Sequence, residues 1–295
     1  MLEHLFQNPI PPKRVVVIGA GGFVGRAISS RIVKTGVPVV GLTRKDLDLL
    51  SPNAIDFLSD LLREDDAVVA VAAIAPCKTP EMLRDNLLLS LTLVRAFEKA
   101  HPAHVVNISS DAVFADAPLP LTENSPKAPG SYHGTMHLVR ETMFFNEISS
   151  PLAILRPTLI YGANDPHNGY GPNLFRRKAN RGEPLVLFGE GEERRDHVFV
   201  EDVAEIVFRT LFHRSVGSLN VATGVVASFR EIAEKVVKIS GKGSVITGSI
   251  RKGPMPHGGY RPFDITACRE AFPDFTYTQL AEGLTLAQNQ EFPNE

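Results

Sequence analysis

Cysteine is scarce: Cys77 and Cys268 are the two in 295 residues, and neither has partners at metal-ligand spacing. They read as two buried or idle thiols in a reducing compartment, with a single bridge between them as the other reading. Long apolar runs are lacking too. The longest, Ala67 to Ala75, is too short to span a bilayer. Met1 to Pro12 has acid and prolines where a leader would have a basic start and an apolar core, so the expected location is the cytoplasm. A surplus of either charge is also missing. With 31 Lys and Arg against 33 Asp and Glu, a formal net charge of -2 offers no argument for nucleic acid or an anionic membrane as partner. No internal repeat or low-complexity tract is present. What remains is an ordinary globular composition, long enough for one large or two modest domains.

One stretch organises the rest. Val15-Val16-Val17-Ile18 is an apolar run suited to a strand buried on both faces, and Gly19-Ala20-Gly21-Gly22-Phe23-Val24-Gly25 follows it. Arg26 to Val33 then carries apolar residues at helical spacing. Gly19 permits a tight turn, and Gly22 keeps side-chain atoms away from backbone N–H groups at the helix start. Gly25 lets helix and strand pack closely. A diphosphate fits such a loop, so strand, glycine spacing and helix together predict a dinucleotide site.

A second strand, Pro38 to Leu42, ends at Thr43-Arg44-Lys45. An acid usually stands there to hold the ribose 2′-hydroxyl. A cationic pair favours a 2′-phosphate instead, and an arginine can bond it bidentately, so NADP(H) is expected over NAD(H). Ser51 with Pro52 is expected to start a helix running to about Arg63. Strands follow at Ala67 to Ala73, Val105 to Ile108, Leu152 to Leu155 and Ser218 to Val221. Helices are expected over Glu81 to Lys99, from Tyr132 to about Asn146, over Asn173 to Arg181, Val203 to Phe212 and Phe229 to Ser240, and from Tyr277 to about Gln288. The alternation predicts an α/β fold, a Rossmann-type doubly wound parallel sheet with ligands at the carboxyl ends of its strands. The loop before Tyr132 holds Pro118, Pro120, Pro126 and Pro129, and His167 in the loop Asn164 to Pro172 lacks partners for a metal.

Ser109 and Ser110 stand at a strand end, and with the glycine spacing, Asn86, Ser109-Ser110-Asp111-Ala112-Val113-Phe114, the Tyr132 helix, Leu155-Arg156-Pro157 to Gly162 and Arg195-Asp196-His197 to Val203 they carry a likeness. On these motifs the chain resembles the extended short-chain dehydrogenase/reductases, the NAD(P)-dependent epimerase/dehydratase group that works mostly on nucleotide-linked sugars. Asp46 to Leu50 and Ser109-Ser110-Asp111 look most like the reductases of deoxysugar synthesis. The resemblance implies a dinucleotide domain over 13–163 plus about 196–224, a smaller C-terminal α/β substrate domain over about 164–195 plus 225–295, and an extension over 1–12. It also implies contacts to the cofactor from Gly19, Gly22, Phe23, Val24, Gly25, Thr43, Arg44, Asp48 and Leu49, and from Ala72, Ala73, Ser109, Tyr132 and Pro157. Substrate contacts are implied for Ser110, Asp111, Asn173, Arg195 and Arg261, and a homodimer through the Glu81 and Ser131 helices. Ser110 would orient a carbonyl while the Tyr132 phenol passes the proton, as two donors aimed at a developing oxyanion should.

The pattern then departs from its family. One turn after Tyr132, where a Tyr-x-x-x-Lys motif has its ammonium, stands Met136. A thioether neither activates a phenol nor bonds a ribose. A neutral phenol still serves as an acid in reduction by NADPH, but it is a poor base for alcohol oxidation. His133 and His137 are not on the Tyr132 face, and Lys127 would have to reach back from the loop. The reading is therefore a nucleotide-sugar reductase or epimerase, with a catalytically impaired, cofactor-binding regulatory protein as the alternative.

Overall fold

The computed structural model describes residues 1–117 and 119–291; Pro118 and the end of the 225–295 portion lie outside the described residues. The first half lays down strands β1 (Leu2–His4), β2 (Arg14–Ile18), β3 (Val39–Leu42), β4 (Asp66–Ala70), β5 (His104–Ile108) and β6 (Leu152–Pro157). Between them run helices α1 (Phe23–Val33), α2 (Ala54–Leu61), α3 (Pro80–Ala100) and α4 (Tyr132–Glu147). The second half adds β7 (Leu159–Tyr161), α5 (Pro172–Asn180), β8 (Leu185–Phe188), β9 (Arg194–Phe199), α6 (Val200–Phe212) and β10 (Ser215–Val221). It closes with β11 (Val226–Ser228), α7 (Phe229–Ser240), β12 (Ile246–Ser249), β13 (Tyr260–Arg261), α8 (Thr266–Ala271) and α9 (Leu280–Glu291).

A seven-stranded sheet runs in the order β1-β10-β6-β5-β4-β2-β3, parallel throughout except for β1 against β10. Because side chains alternate along a strand, Val15 and Val17 join the core under α1 and α6, while Val16 and Ile18 join the core under α2, α3 and α4. All four are buried, as the unbroken apolar run requires, and each contributes roughly 1.5–3 kcal/mol of transfer free energy. The doubly wound Rossmann-type sheet is as expected.

The core under α1 and α6 continues without a break into the second half, where Phe175, Leu185, Val198 and Phe229 join it. Strands β7, β9, β11 and β13 form a small sheet there, and β8 pairs with β12. Three local expectations need correction. Residues 2–4 are not a loose extension but an edge strand, with the backbone N–H of Phe6 and Ile10 also bonded to the end of α6 and its following turn. Ser51 does not cap α2, since its hydroxyl donates to the Asp48 carbonyl and closes the preceding turn, and the helix begins at Ala54. The last helix begins at Leu280, because Thr278 is held by Asp202 through its N–H and hydroxyl in a non-helical segment. Among the described residues, no helix is long and apolar enough to cross a membrane.

Candidate active site

The loop from β2 to α1 is built for close approach. Gly19 has φ +97, and a Cβ there would lie 2.7 Å from the Ala72 backbone nitrogen. A Cβ on Gly25 would overlap the Gly19 carbonyl, so Gly25 keeps helix and loop in contact from beneath. Gly22 stands at the N-cap of α1 with no side-chain cap, leaving the helix start to an outside acceptor.

Beyond this loop a cavity of about 1170 Å³ extends along the carboxyl ends of the parallel strands. Gly19, Gly22, Phe23 and Val24 line one end, with Thr43, Arg44, Asp48 and Leu49 to the side. Ala72 and Ala73 form a flat, small-residue wall, and Ser109, Ser110 and Pro157 the middle. Gly25 lies outside the lining. Arg44 is mostly exposed and 3.6 Å from Asp48, while Asp46 accepts from the Thr43 N–H and hydroxyl, and these bonds lower its pKa. A glycine cradle, an uncapped helix start and a small-residue floor in one elongated cavity fit a nicotinamide dinucleotide.

The middle is held from behind. Ser109 donates to Glu141 at 2.6 Å, and Glu141 takes two bonds from Arg156 at 2.8 and 2.9 Å, all of them buried. Ser110 accepts from the Ala112 N–H at 3.2 Å, capping the 3-10 turn Asp111–Val113 while it lines the cavity.

Helix α4 is rotated differently from the sequence reading. Gly134 rests on that same turn, where a Cβ would overlap the Ala112 carbonyl, and this contact fixes which face of α4 meets the cavity. His133 and His137, four residues apart, form that face. Tyr132 is 45% exposed and outside the lining, and Met136 is buried and also outside it. The assignment of Tyr132 as the proton donor, with Met136 beside it, is corrected accordingly. The exposed Lys127 lies outside the lining as well. The two imidazoles stand edge to face at 4.8 Å. Burial pushes both below the ordinary histidine range; at His133 the Asp111 carboxylate opposes that shift and His167 adds to it.

At the far end the lining is made of charged side chains tied to one another. Arg261 is buried and outside the lining; it donates to the Asp111 carboxylate at 3.2 Å, the Asp111 carbonyl at 2.8 Å and Asp116 at 2.7 Å. It therefore holds Asp111, which lines the cavity, rather than lining it itself. Asp116 also pairs with His257. Arg195 lines the cavity, 3.3 Å from Glu193 and 3.9 Å from Asp111. Asn173 lines it too, with its amide donating to Asp165 and accepting from the Gly162 N–H. His167 spans from Asp165 to the Ala75 carbonyl at 2.9 Å, tying its loop to the segment after β4.

Five of the nine histidines, His133, His137, His167, His197 and His257, line this cavity; sequence reasoning weighed His133 and His137 as stand-ins for the missing ammonium and His167 as a metal ligand, set all three aside, and gave His197 and His257 no role. The signal was present for two: an i, i+4 imidazole pair around a helical glycine. Among the described residues no cluster of His, Cys, Asp or Glu could hold a metal ion.

The model of the NAD dependent epimerase/dehydratase family matches residues 15–222. The chain is 26% identical over 285 residues, 88% of its length and 90% of the other's, to dTDP-6-deoxy-L-talose 4-dehydrogenase (NAD(P)(+)) of Kitasatospora kifunensis. It is similar to MoeE5 solved in complex with UDP-glucose and NAD, at 25% identity and TM-score 0.80, over 94% of this chain and 97% of that one. In fold it also matches the NAD complex of UDP-glucose 4-epimerase from Thermus thermophilus, with TM-score 0.84, 23% identity, and coverage of 96% and 100%.

Proposed function

Since this chain belongs to the NAD-dependent epimerase/dehydratase family, we propose that it is a nicotinamide-dependent reductase or epimerase of a nucleotide-activated deoxysugar, with NADP(H) favoured over NAD(H). The observation that carries this reading is the single cavity that runs from Gly19 and Gly22, past Ser110, to Asn173 and Arg195. The relative acting at the 4-position of a deoxy-talose nucleotide supports the substrate class. Gly22, Phe23 and Val24 would hold the diphosphate, Arg44 a 2′-phosphate, and Ala72, Ala73 and Pro157 the rest of the dinucleotide. Bound there, a nicotinamide supplies or takes up hydride.

The chain's own residues do the rest. Ser110 offers a hydroxyl to a substrate carbonyl or alcohol from a turn fixed by Arg261 and Asp111. Arg195 presents a guanidinium suited to the substrate diphosphate, and the Glu193 and Asp111 carboxylates hold it in place. The experiment mixes purified protein with NADPH or NADH and a panel of 4-keto-6-deoxy nucleotide sugars, with UDP-glucose for epimerisation. Oxidation of NADPH in preference to NADH with any member supports the reading, and failure to bind either dinucleotide sinks it.

The regulatory alternative draws on Tyr132 standing outside the cavity lining and on Met136 in place of an ammonium one turn later. Tight dinucleotide binding with no turnover of the panel favours it. A homodimer through α3 and α4 belongs to the same proposal; Leu88, Leu91 and Phe145 are exposed on those helices. Light scattering at the mass of one chain disposes of that part.

A further inference from the structure

The proposed reaction requires a proton at the substrate oxygen, and neither residue expected to manage it lines the cavity. The geometry points to His133 as the group that exchanges that proton, with His137 as the imidazole that supports it; this inference rests on the proposed function. Three observations place His133 there. It lines the cavity together with Ser110, the other hydroxyl-bonding group of the site. The fit of Gly134 against the Ala112 carbonyl holds α4 in the rotation that presents residues 133 and 137. The Cys77 N–H donates to His133 Nδ1 at 3.5 Å, at the outer limit of a hydrogen bond, so it orients the ring while Nδ1 is unprotonated and is weak enough to give way when the imidazolium forms. Among the described residues Nε2 has no protein partner and remains for a substrate oxygen.

In reduction, hydride from a dihydronicotinamide adds to the carbonyl carbon and the C=O π bond breaks. The electron pair left on oxygen takes the Nε2 proton of the His133 imidazolium. An alcohol, an oxidised nicotinamide and a neutral imidazole carrying its proton on Nδ1 result. In the oxidative half, His133 in the tautomer that holds its proton on Nδ1, with the long Cys77 contact given up, accepts the alcohol proton on Nε2, which an unassisted phenol does poorly near neutral pH.

The groups facing His133 define its pH behaviour. Asp111 faces it from the turn after β5, His167 from the loop before α5, Cys77 from the segment after β4, and His137 from α4 itself. Burial favours the neutral ring over the Asp111 attraction. The reductive rate therefore rises as pH falls below neutrality, by up to about tenfold per unit while the ring is mostly neutral, because the imidazolium is the proton donor. The oxidative rate holds at neutral and alkaline pH and falls in acid.

The test uses the full chain with NADPH, dTDP-4-keto-6-deoxyglucose and UDP-glucose, in wild type, His133→Phe and Tyr132→Phe. The expected result is a loss of at least 100-fold in turnover for His133→Phe with NADP⁺ affinity within threefold of wild type, and Tyr132→Phe within twofold in both. His133→Phe turning over within threefold of wild type, or Tyr132→Phe carrying the loss instead, overturns the inference. Proton NMR of the histidine Cε1–H signals supplies a readout independent of turnover, the His133 signal being assigned by its loss in the variant. Titration with NADP⁺ should move that signal saturably; dinucleotide binding without movement overturns the inference even if no probe reacts. Protein that binds neither dinucleotide removes the proposed function, and this inference with it, whereas binding with a fully active His133→Phe variant removes only the inference.

Discussion

The two ends of the cavity are built by opposite means. The glycine end is backbone and missing side chains: Gly19 at positive φ, Gly22 uncapped, Gly25 pressed under the loop, all within seven residues. The charged end is side chain and long range, since Arg261 reaches Asp111 across 150 positions and Asp111 lies near Arg195. A backbone-made site is written locally because steric exclusion acts between near neighbours. A side-chain-made site depends on which distant charges the fold brings together, where burial strengthens each pair and makes an orphan costly.

Four changes should separate the ends. The largest effect is expected from Gly25→Val, whose side chain overlaps the Gly19 carbonyl. Urea unfolding should show a loss of about 4 kcal/mol, with dinucleotide binding abolished in what remains folded. Full NADPH fluorescence enhancement in this variant would contradict the backbone account of that end. Next comes Arg261→Ala, which leaves the buried Asp111 without its main partner and should cost about 3 kcal/mol. Here dinucleotide affinity should hold while the KM for a nucleotide sugar rises. Equal losses in both would mean that the ends are not independent.

A third, intermediate effect is on stability against pH. Burial, with Arg195 nearby, pushes His197 down to about 3, so the folded chain keeps it neutral while the unfolded chain protonates it near 6.5. That stability is complete above about pH 6.5 and is lost as pH falls towards 3, by about 2 kcal/mol between pH 7 and 5. The His197→Gln variant should show a correspondingly shallower loss in urea midpoints measured across that range. Arg44→Ala should have the smallest effect. The side chain is exposed and already near Asp48, so removal should weaken NADPH by about tenfold and leave NADH unchanged. An equal effect on both dinucleotides would separate Arg44 from the 2′-phosphate.

Much of this was legible beforehand. The parallel sheet followed from apolar runs alternating with helical periodicity, and the glycine spacing located the loop. Thr43, Arg44, Asp48, Leu49, Ala72, Ala73 and Pro157 all line the cavity, as do Ser110, Asp111, Asn173 and Arg195. The errors came where rotation or pairing decides. Tyr132 and His133 are adjacent, so a helix turn of about 100° separates a solvent-facing phenol from a cavity-facing imidazole. Long-range contacts fix that angle: Gly134 packs against Ala112, 22 positions earlier, Arg140 donates to the Ala70 and Ala72 carbonyls, and Glu141 accepts from Ser109 and Arg156. Leu2–His4 joined the sheet because β10, some 210 residues on, offers it an edge.

By itself the sequence determined the class of fold and the place of the glycine loop, because steric exclusion and apolar periodicity are properties of neighbouring residues. Only the tertiary structure decided that histidines and not Tyr132 face the cavity, that Arg261 holds Asp111 from behind, and that one core runs through both halves. Those depend on how elements far apart in the chain pack, and packing energy is a property of the whole assembled core.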